Sequence, residues 1–166
     1  HIPSPSLLSP TPGAAVAGGN VENSQRIADL VLRAMDRRAS SQGTMNNLTL
    51  GGVQDDTSWS LYETIGGGSG ASAEGPGLSA AQVHMTNTRA TDPEVMEARL
   101  PLRLRRFSIR QHSGGDGRHR GGDGLIREIE MLSPGEACLL ATRRRTGAPG
   151  LRGGGSGAPG EDALFI

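Results

Sequence analysis

Trp59 to Ala71 read WSLYETIGGGSGA, and this stretch decides the fold. Its first half alternates bulky and polar residues with period two, the mark of a half-buried strand. Its second half, from Gly66 to Gly70, has no large side chains and leaves the backbone free to turn and to approach other groups closely. About a dozen residues further on stand VHMTNTR (83–89) and then TDPEVME (91–97). The first of these places His84, Thr86, Asn87, Thr88 and Arg89 almost side by side, a polar density that a core strand would not carry. Strand, glycine loop and polar cluster together read as a site built on a sheet.

On either side of this centre the pattern continues mainly as strands. TMNNLTLGG (44–52) alternates Met45, Asn47 and Thr49 against Asn46, Leu48 and Leu50, predicting a half-polar strand that ends in a Gly-Gly turn. AAQVHMT (80–86) predicts another strand that carries Asn87, Thr88 and Arg89 to its end. DPEVMEA (92–98) has a compact helix start, with Asp92 as cap and Pro93 at the first helical position. LPLRLRRFSIR (100–110) alternates apolar and basic residues with a phase shift between Leu104 and Phe107, which predicts a bulge. Strands around 125–131 and 136–142 flank a Ser-Pro-Gly turn, and the tail from Thr146 reads as loop. Upstream, residues 21–37 predict a helix with Ile27, Leu30, Val31, Ala34 and Met35 on one stripe and Arg26, Asp29, Arg33 and Asp36 facing away. Asn20 is its expected N-cap, and Glu22 in the first turn suits the helix dipole. The predicted fold class is α+β: mostly antiparallel strands, one N-terminal amphipathic helix and long Gly-rich loops. The expected organisation is an extended Pro/Ser-rich segment over 1–13, a domain over 14–160 and a tail over 161–166.

Composition limits what such a unit does alone. Only 34% of residues are hydrophobic and 2% aromatic, against 26 Gly and 10 Pro. Large side chains usually dominate burial, so the core is expected to be thin and its apolar faces to pack partly against neighbours outside the sequence. Net charge is zero, which removes the electrostatic case for nucleic acid or a membrane surface. No apolar run approaches the ~20 residues of a membrane helix, and HIPSPSLLSP (1–10) lacks a charged n-region. The expected location is cytoplasmic. All basic residues are Arg, so Schiff-base and phosphate-gripping lysines are excluded. Cys138, the single cysteine, excludes an intrachain disulfide and a CxxC metal site, and its apolar setting ACLLA predicts a buried, inert thiol.

Several residues carry potential chemistry. Glu63 leads into the glycine run and reads either as a solvated edge-strand carboxylate or as a general base or acceptor for Arg89. Gly66–Gly70, with Gly67 and Gly68 at its centre, is suited to cradle an anion with backbone N–H groups. It is not a Walker A loop, since no Gly-Lys-Ser/Thr follows, and it opens no helix as a dinucleotide fingerprint does. SGGDGRHRGGDG (113–124) predicts a long hairpin loop with paired charges, in which Asp123 is a candidate for a pocket wall. Its single RGG lacks the aromatic company of an RNA-binding tract. Arg143 to Arg145 read as a solvated basic cluster or a contact for an acidic partner.

Five strings in order, from AAVAGGNVENSQRIADLVLRAM (14–35) through SSQGTMNNLTLGG (40–52), the central motifs, GGDGRHRGGDGLIREIE (114–130) and RRRTGAPGLRGGGSGAPG (143–160), resemble the C-terminal part of the hydantoinase B/5-oxoprolinase family, which includes the related acetone carboxylase subunit. The resemblance implies a piece of a much longer subunit, inactive alone, from an ATP-dependent enzyme that opens the ring of 5-oxoproline or a hydantoin. It implies a divalent metal ion in the full-length subunit, with ligands upstream of this stretch, and ATP bound by a hydantoinase A-like partner subunit or domain. A ring-opening hydrolase needs a group to activate water, donors for the developing oxyanion and a positive charge for phosphate or carboxylate. On that implication His84, Asn87, Arg89 and Glu63 are the catalytic candidates, and Gly67, Gly68, Thr86 and Asp123 the substrate-binding ones. Gln82 stands where relatives often have a second His, which argues against a two-histidine metal clamp at that spot. A non-catalytic docking module and an acetone-carboxylase-like subunit are the competing expectations.

Overall fold

The computed structural model describes residues 2–16 and 18–165, with the side chain of Asn20 outside that description. The chain forms two antiparallel sheets with two helices, a mixed α+β architecture as expected. A π-helical turn, Gly19–Ser24, runs straight into α1, Gln25–Ala34. Gly18, at φ 72, occupies the cap position where Asn20 was expected, because the helical backbone begins earlier than its apolar period suggests. Glu22 accepts from Asn47 Nδ2 at 3.1 Å and so ties this turn to the first strand.

Strand β1 (Asn47–Gln54) pairs antiparallel with β2 (Thr57–Thr64), and β5 (Gly135–Leu140) pairs on its other edge, giving the order β2-β1-β5. The predicted turn at Gly51–Gly52 is not a turn. The strand runs on to Asp55 and Asp56, which close the hairpin at φ 47 and 60. Two left-handed residues in a two-residue loop match the twist of the paired strands, and Asp tolerates that conformation. Glycine at 52 serves packing instead: a Cβ there would lie 2.6 Å from the carbonyl oxygen of Pro134, where β5 begins.

The second sheet is the hairpin of β3 (Leu102–Arg110) and β4 (Gly124–Met131). Its register shifts between Leu104 and Arg106, the bulge that the phase shift predicted. Helix α2 (Pro93–Arg99) precedes β3, with the Asp92 carboxylate accepting from the N–H groups of Glu94 and Val95. Leu50 and Leu61 from the first sheet meet Met96 of α2 and Leu102 of β3 in a small core, extended by Trp59, Leu104, Ile129 and Met131. α1 contributes nothing to this cluster.

Helix α1 is turned the opposite way from its sequence pattern. Gln25 and Asp29 are buried at 0% and 5% exposure, while Ile27, Leu30, Val31 and Met35 stand 38%, 66%, 47% and 62% exposed. The apolar stripe faces out, and Asp29, expected to face solvent, faces in. Residues 80–86 also depart from the strand expected there. Ala81 makes one bridge to Gly67, and His84 turns the chain at φ 52. The Gln25 side chain supplies what a neighbouring strand would have supplied, since its Nε2 donates to Val83 O at 2.8 Å and its Oε1 accepts from Met85 N at 2.9 Å.

The glycine-rich segments form a closed circuit of backbone hydrogen bonds. Gln42 N–H donates to Gly68 O, Ser69 N–H to Leu78 O, and Gly122 N–H to Ser69 O. Gly121 N–H donates to Gly115 O, Gly155 N–H to Asp116 O, Gly157 N–H to Ala148 O, and Ser40 N–H to Pro149 O, which returns to the start. Backbones approach so closely that a Cβ on Gly68 would sit 1.9 Å from the carbonyl oxygen of Gly122. At the termini, residues 6–9 form a tight turn rather than an extended run, with Ser6 Oγ accepting from Ser9 N–H at 3.1 Å. Glu161 and Asp162 of the expected tail pair with Arg110 and Arg144. Cys138 is exposed on β5, against expectation, because that strand lies at a sheet edge.

Candidate functional site

His84 is held at a junction of three segments. Its Nε2 lies 3.1 Å from Asp29 Oδ1 and 3.5 Å from Ser41 Oγ. Ser41 N–H donates to the same Asp29 oxygen at 2.8 Å, and Arg143 reaches the other oxygen at 3.5 Å. Burial pushes the Asp29 carboxyl up, but hydrogen bonds from His84 and Ser41 outweigh it, and the group ends below the ordinary carboxylate range. A charged Asp29 accepts from Nε2–H, which fixes the imidazole with Nε2 inward and leaves Nδ1 outside that pair. Ser41 shares Nε2 with Asp29, so the three do not form a nucleophile relay, which needs serine and carboxylate on opposite ring nitrogens.

The end of β2 forms a second arrangement. Glu63 is neither solvated nor paired with Arg89. Its Oε2 lies 2.6 Å from Arg127 Nη2, both side chains 3% exposed, and its Oε1 accepts from Thr91 N–H at 2.7 Å. The Arg127 guanidinium also stacks over Phe107 at 5.2 Å from the ring centre. Neighbouring Thr64 accepts from Gln82 Nε2 at its carbonyl, 3.0 Å, and at its hydroxyl, 2.8 Å, and that hydroxyl is 2.7 Å from Thr88 Oγ1. A cavity of about 340 Å³ lies here, lined by Thr64, Gln82, Thr88, Arg89, Phe107 and Arg127 among others. Arg89 is exposed and has no hydrogen-bond or ion-pair partner among the described residues.

The structure brings Arg89 and Thr88 to this cavity and sends His84 to α1. Asn87 is exposed, and Thr86 is buried with its hydroxyl unpartnered. Gly67 N–H donates to Gln42 Oε1 and Ser69 N–H to Leu78 O, so part of the expected anion cradle is already occupied by the chain itself. Asp123 clasps the 113–124 loop: it accepts from Gly114 N–H at 2.8 Å and pairs with Arg120 at 3.2 Å. Burial raises its carboxyl, yet these hydrogen bonds leave it below the ordinary range. Two members of the 143–145 basic cluster are paired within the chain, Arg143 with Asp29 and Arg144 with Asp162.

Three contributors were absent from the sequence-level candidates: Gln25, Asp29 and Arg127. The first two stand four apart and therefore share a helix face, opposite the apolar stripe. That spacing was a usable signal. Arg127 gave none, being one charged residue in the alternating strand LIREIE. The residues present do not fit a metal ion, since no group of three His, Cys, Asp or Glu is gathered among the described residues. No helix among them is long and apolar enough to cross a membrane.

Known proteins resemble the chain over almost its whole length. The hydantoinase B/oxoprolinase family model matches residues 1–164. The chain is 53% identical over 165 residues to 5-oxoprolinase 1 of Arabidopsis thaliana, covering 99% of this chain and 13% of that protein. It is 49% identical over 153 residues to 5-oxoprolinase of Dictyostelium discoideum, covering 92% of this chain and 12% of that protein. One subunit of a putative D-/L-hydantoinase of Pseudomonas sp. (strain NS671) is 27% identical over 145 residues, 84% of this chain and 24% of that protein. Among solved structures, nucleotide-free acetone carboxylase, from work on the mechanism of ATP-dependent acetone carboxylation, matches with a TM-score of 0.59 and 28% identity over 74% of this chain and 17% of that one. The chain thus spans only a small part of the length of the proteins it matches, and on its sequence it belongs to the hydantoinase B/oxoprolinase family.

Proposed function

We propose that this chain is the C-terminal part of an ATP-dependent cyclic-amide hydrolase component, of the kind that opens 5-oxoproline or a hydantoin, and that it is inactive alone. The observation that carries this reading is the 53% identity to 5-oxoprolinase 1 across 99% of the chain. A hydantoinase A-like partner is assigned the ATP, in keeping with the Pseudomonas relative, which is named as one subunit of its enzyme. Once the partner has phosphorylated the ring carbonyl oxygen, the carbonyl carbon is electrophilic, and water addition needs positioning and charge stabilisation. His84, oriented by Asp29, takes a proton from water at Nδ1. Asn87 donates to the ring nitrogen, which takes up the electron pair of the carbon–nitrogen bond as water adds, and Arg89 supplies positive charge for the phosphate that then leaves. Glu63 acts through Arg127, which it holds in place, rather than as a base. The test is to assemble the complete subunit with its partner and ATP and to assay ring-opened product from cyclic amides, with acetone and bicarbonate as a parallel arm. Ring opening is the expected result; carboxylation without ring opening would assign the chain to an acetone-carboxylase-like subunit instead.

A docking role is favoured by a separate observation, the outward apolar stripe of α1. Arg26, Arg33 and Arg37 border that stripe without ion-pair partners among the described residues. An apolar face with a basic rim fits an amphipathic helix with acidic flanks. The relatives carry most of their length outside this segment, which is the source we assign for that helix. A photo-crosslinking residue at Leu30 in the complete subunit is expected to capture an acid-flanked helix of the same polypeptide. Capture of a different chain, or of nothing, would contradict the assignment.

A further inference from the structure

The sheet β2-β1-β5 ends on β5, and its hydrogen-bond alternation tells which backbone groups of that strand are unused. The β1-β2 hairpin closes on Gln54 and Thr57 around a two-residue loop, so these two exchange both hydrogen bonds. Alternation then turns the backbone of Gly52, Leu50 and Leu48 toward β2, and the bond from Ile65 N–H to Asn46 O continues the series. Asn47, Thr49 and Gly51 therefore turn toward β5, where they stand opposite Leu140, Cys138 and Glu136. Ala137 and Leu139, the residues between, present their N–H and C=O groups away from the sheet. No hydrogen bond from another segment reaches their backbone among the described residues. The outer edge of β3 is treated differently: helix α2 meets it, and Leu104 N–H donates to Glu97 Oε1 at 2.8 Å.

A bare edge strand is a template for pairing, and proteins protect such edges with charges, proline or a bulge. β5, GEACLL, has one charged residue, no proline and an unbroken register against β1. Ala137 and Leu139 stand opposite Leu50 and Leu48, so their side chains lie on the face of the sheet that carries the core. On that face opens a cavity of about 1720 Å³, lined by Leu48, Leu50, Ile129, Met131, Ala137 and Leu139 among others. Small-molecule sites run to roughly 1,000 Å³, so this one has the size for a run of side chains. We infer that in the complete subunit an extended segment of the same polypeptide adds to β5 as a further strand, its alternate apolar side chains filling this cavity. The occupant follows from length: 5-oxoprolinase 1 matches 99% of this chain with only 13% of its own, so most of such a subunit lies outside this segment. The site is distinct from the stripe of α1, because a strand edge binds through main-chain hydrogen bonds and a helix face through side chains. This inference rests on reading the chain as part of a longer subunit, and not on the ring-opening chemistry.

The experiment is hydrogen exchange on the complete wild-type subunit, resolved to single amides, without ATP or substrate. The Cys138 amide faces β1 and serves as the internal reference for a formed β5. The amides of Ala137 and Leu139 are expected to be slowed as Cys138 is, by about a hundredfold or more relative to an unprotected amide. Protection at Cys138 with free exchange at Ala137 and Leu139 is the alternation of a bare edge, and would overturn the inference. A photo-crosslinking residue at Leu139 then identifies the occupant. Capture of a segment of the same polypeptide is expected; capture of a second copy, of another subunit or of nothing would overturn the assignment. The two readings fail separately: protected amides in a subunit that opens no ring would sink the cyclic-amide reading alone, and a bare edge in one that does would sink this inference alone.

Discussion

At the scale of single residues, two buried carboxylates organise the polar centre in different ways. Glu63 and Arg127 form an ion pair from which water is excluded. Removing one partner strands the other charge, so Arg127→Met is expected to cost about 3–5 kcal/mol in stability, measured by chemical unfolding. Asp29 is a junction, holding His84, the Ser41 amide and Arg143 together. Its carboxyl is depressed below the ordinary value. Its stabilising contribution is therefore complete above the unfolded-state value of about 3.9 and is lost as pH falls through the lower, folded-state value. The stability gap between wild type and Asp29→Asn is expected to be constant at neutral pH and to shrink only in that acid window. A gap that already shrinks at neutral pH would contradict that assignment to Asp29. Glu63 was legible in the sequence as a residue of interest, but not its partner: Arg127 lies far along the chain, and no local pattern encodes a pairing between two sheets.

At the scale of elements, the strands announced themselves more faithfully than the helix did. Alternation located β1, β2, β3, β4 and β5, and the phase shift at Leu104 to Phe107 located the bulge, because a period of two reports directly on a pleated strand. The amphipathic period of α1 was equally clear, yet it pointed the wrong face inward. Periodicity reports that a helix has two faces and is silent on which neighbour each will meet. Here Gln25 and Asp29 are retained inside by hydrogen bonds to the His84 turn, and the apolar face is left for something else. Leu30→Glu is accordingly expected to change intrinsic stability by no more than about 0.5 kcal/mol, as surface substitutions do. In the complete subunit it is expected to loosen the docking of the intrachain helix assigned to that face, read as faster hydrogen exchange across α1. Residues 80–86 looked like a strand and are not one, since a glutamine side chain took the hydrogen bonds a strand would have used.

At the scale of the whole molecule, the glycines explain how so few large side chains hold a fold. The segments around 40, 68, 78, 115, 122, 148 and 157 are joined by backbone hydrogen bonds, and contact between them is backbone to backbone. Gly68→Ala would press a methyl group against the Gly122 carbonyl oxygen. A cost of about 1–3 kcal/mol is expected, with the loops on both sides losing protection in hydrogen exchange. The sequence displayed this material as loop, and composition alone carried no trace of the circuit it closes. The candidate site was marked in the sequence only as a region, by the density of polar residues after the glycine run. Its division was not: His84 went to the α1 junction and Arg89 to the cavity beside Arg127. The central claim is that both belong to one ring-opening enzyme, and the most direct measurement is ATP-dependent turnover of 5-oxoproline by the complete, assembled enzyme carrying His84→Ala or Arg89→Ala. Both variants are expected to assemble normally and to lose about a hundredfold or more in kcat/KM. Wild-type turnover in both would contradict the account.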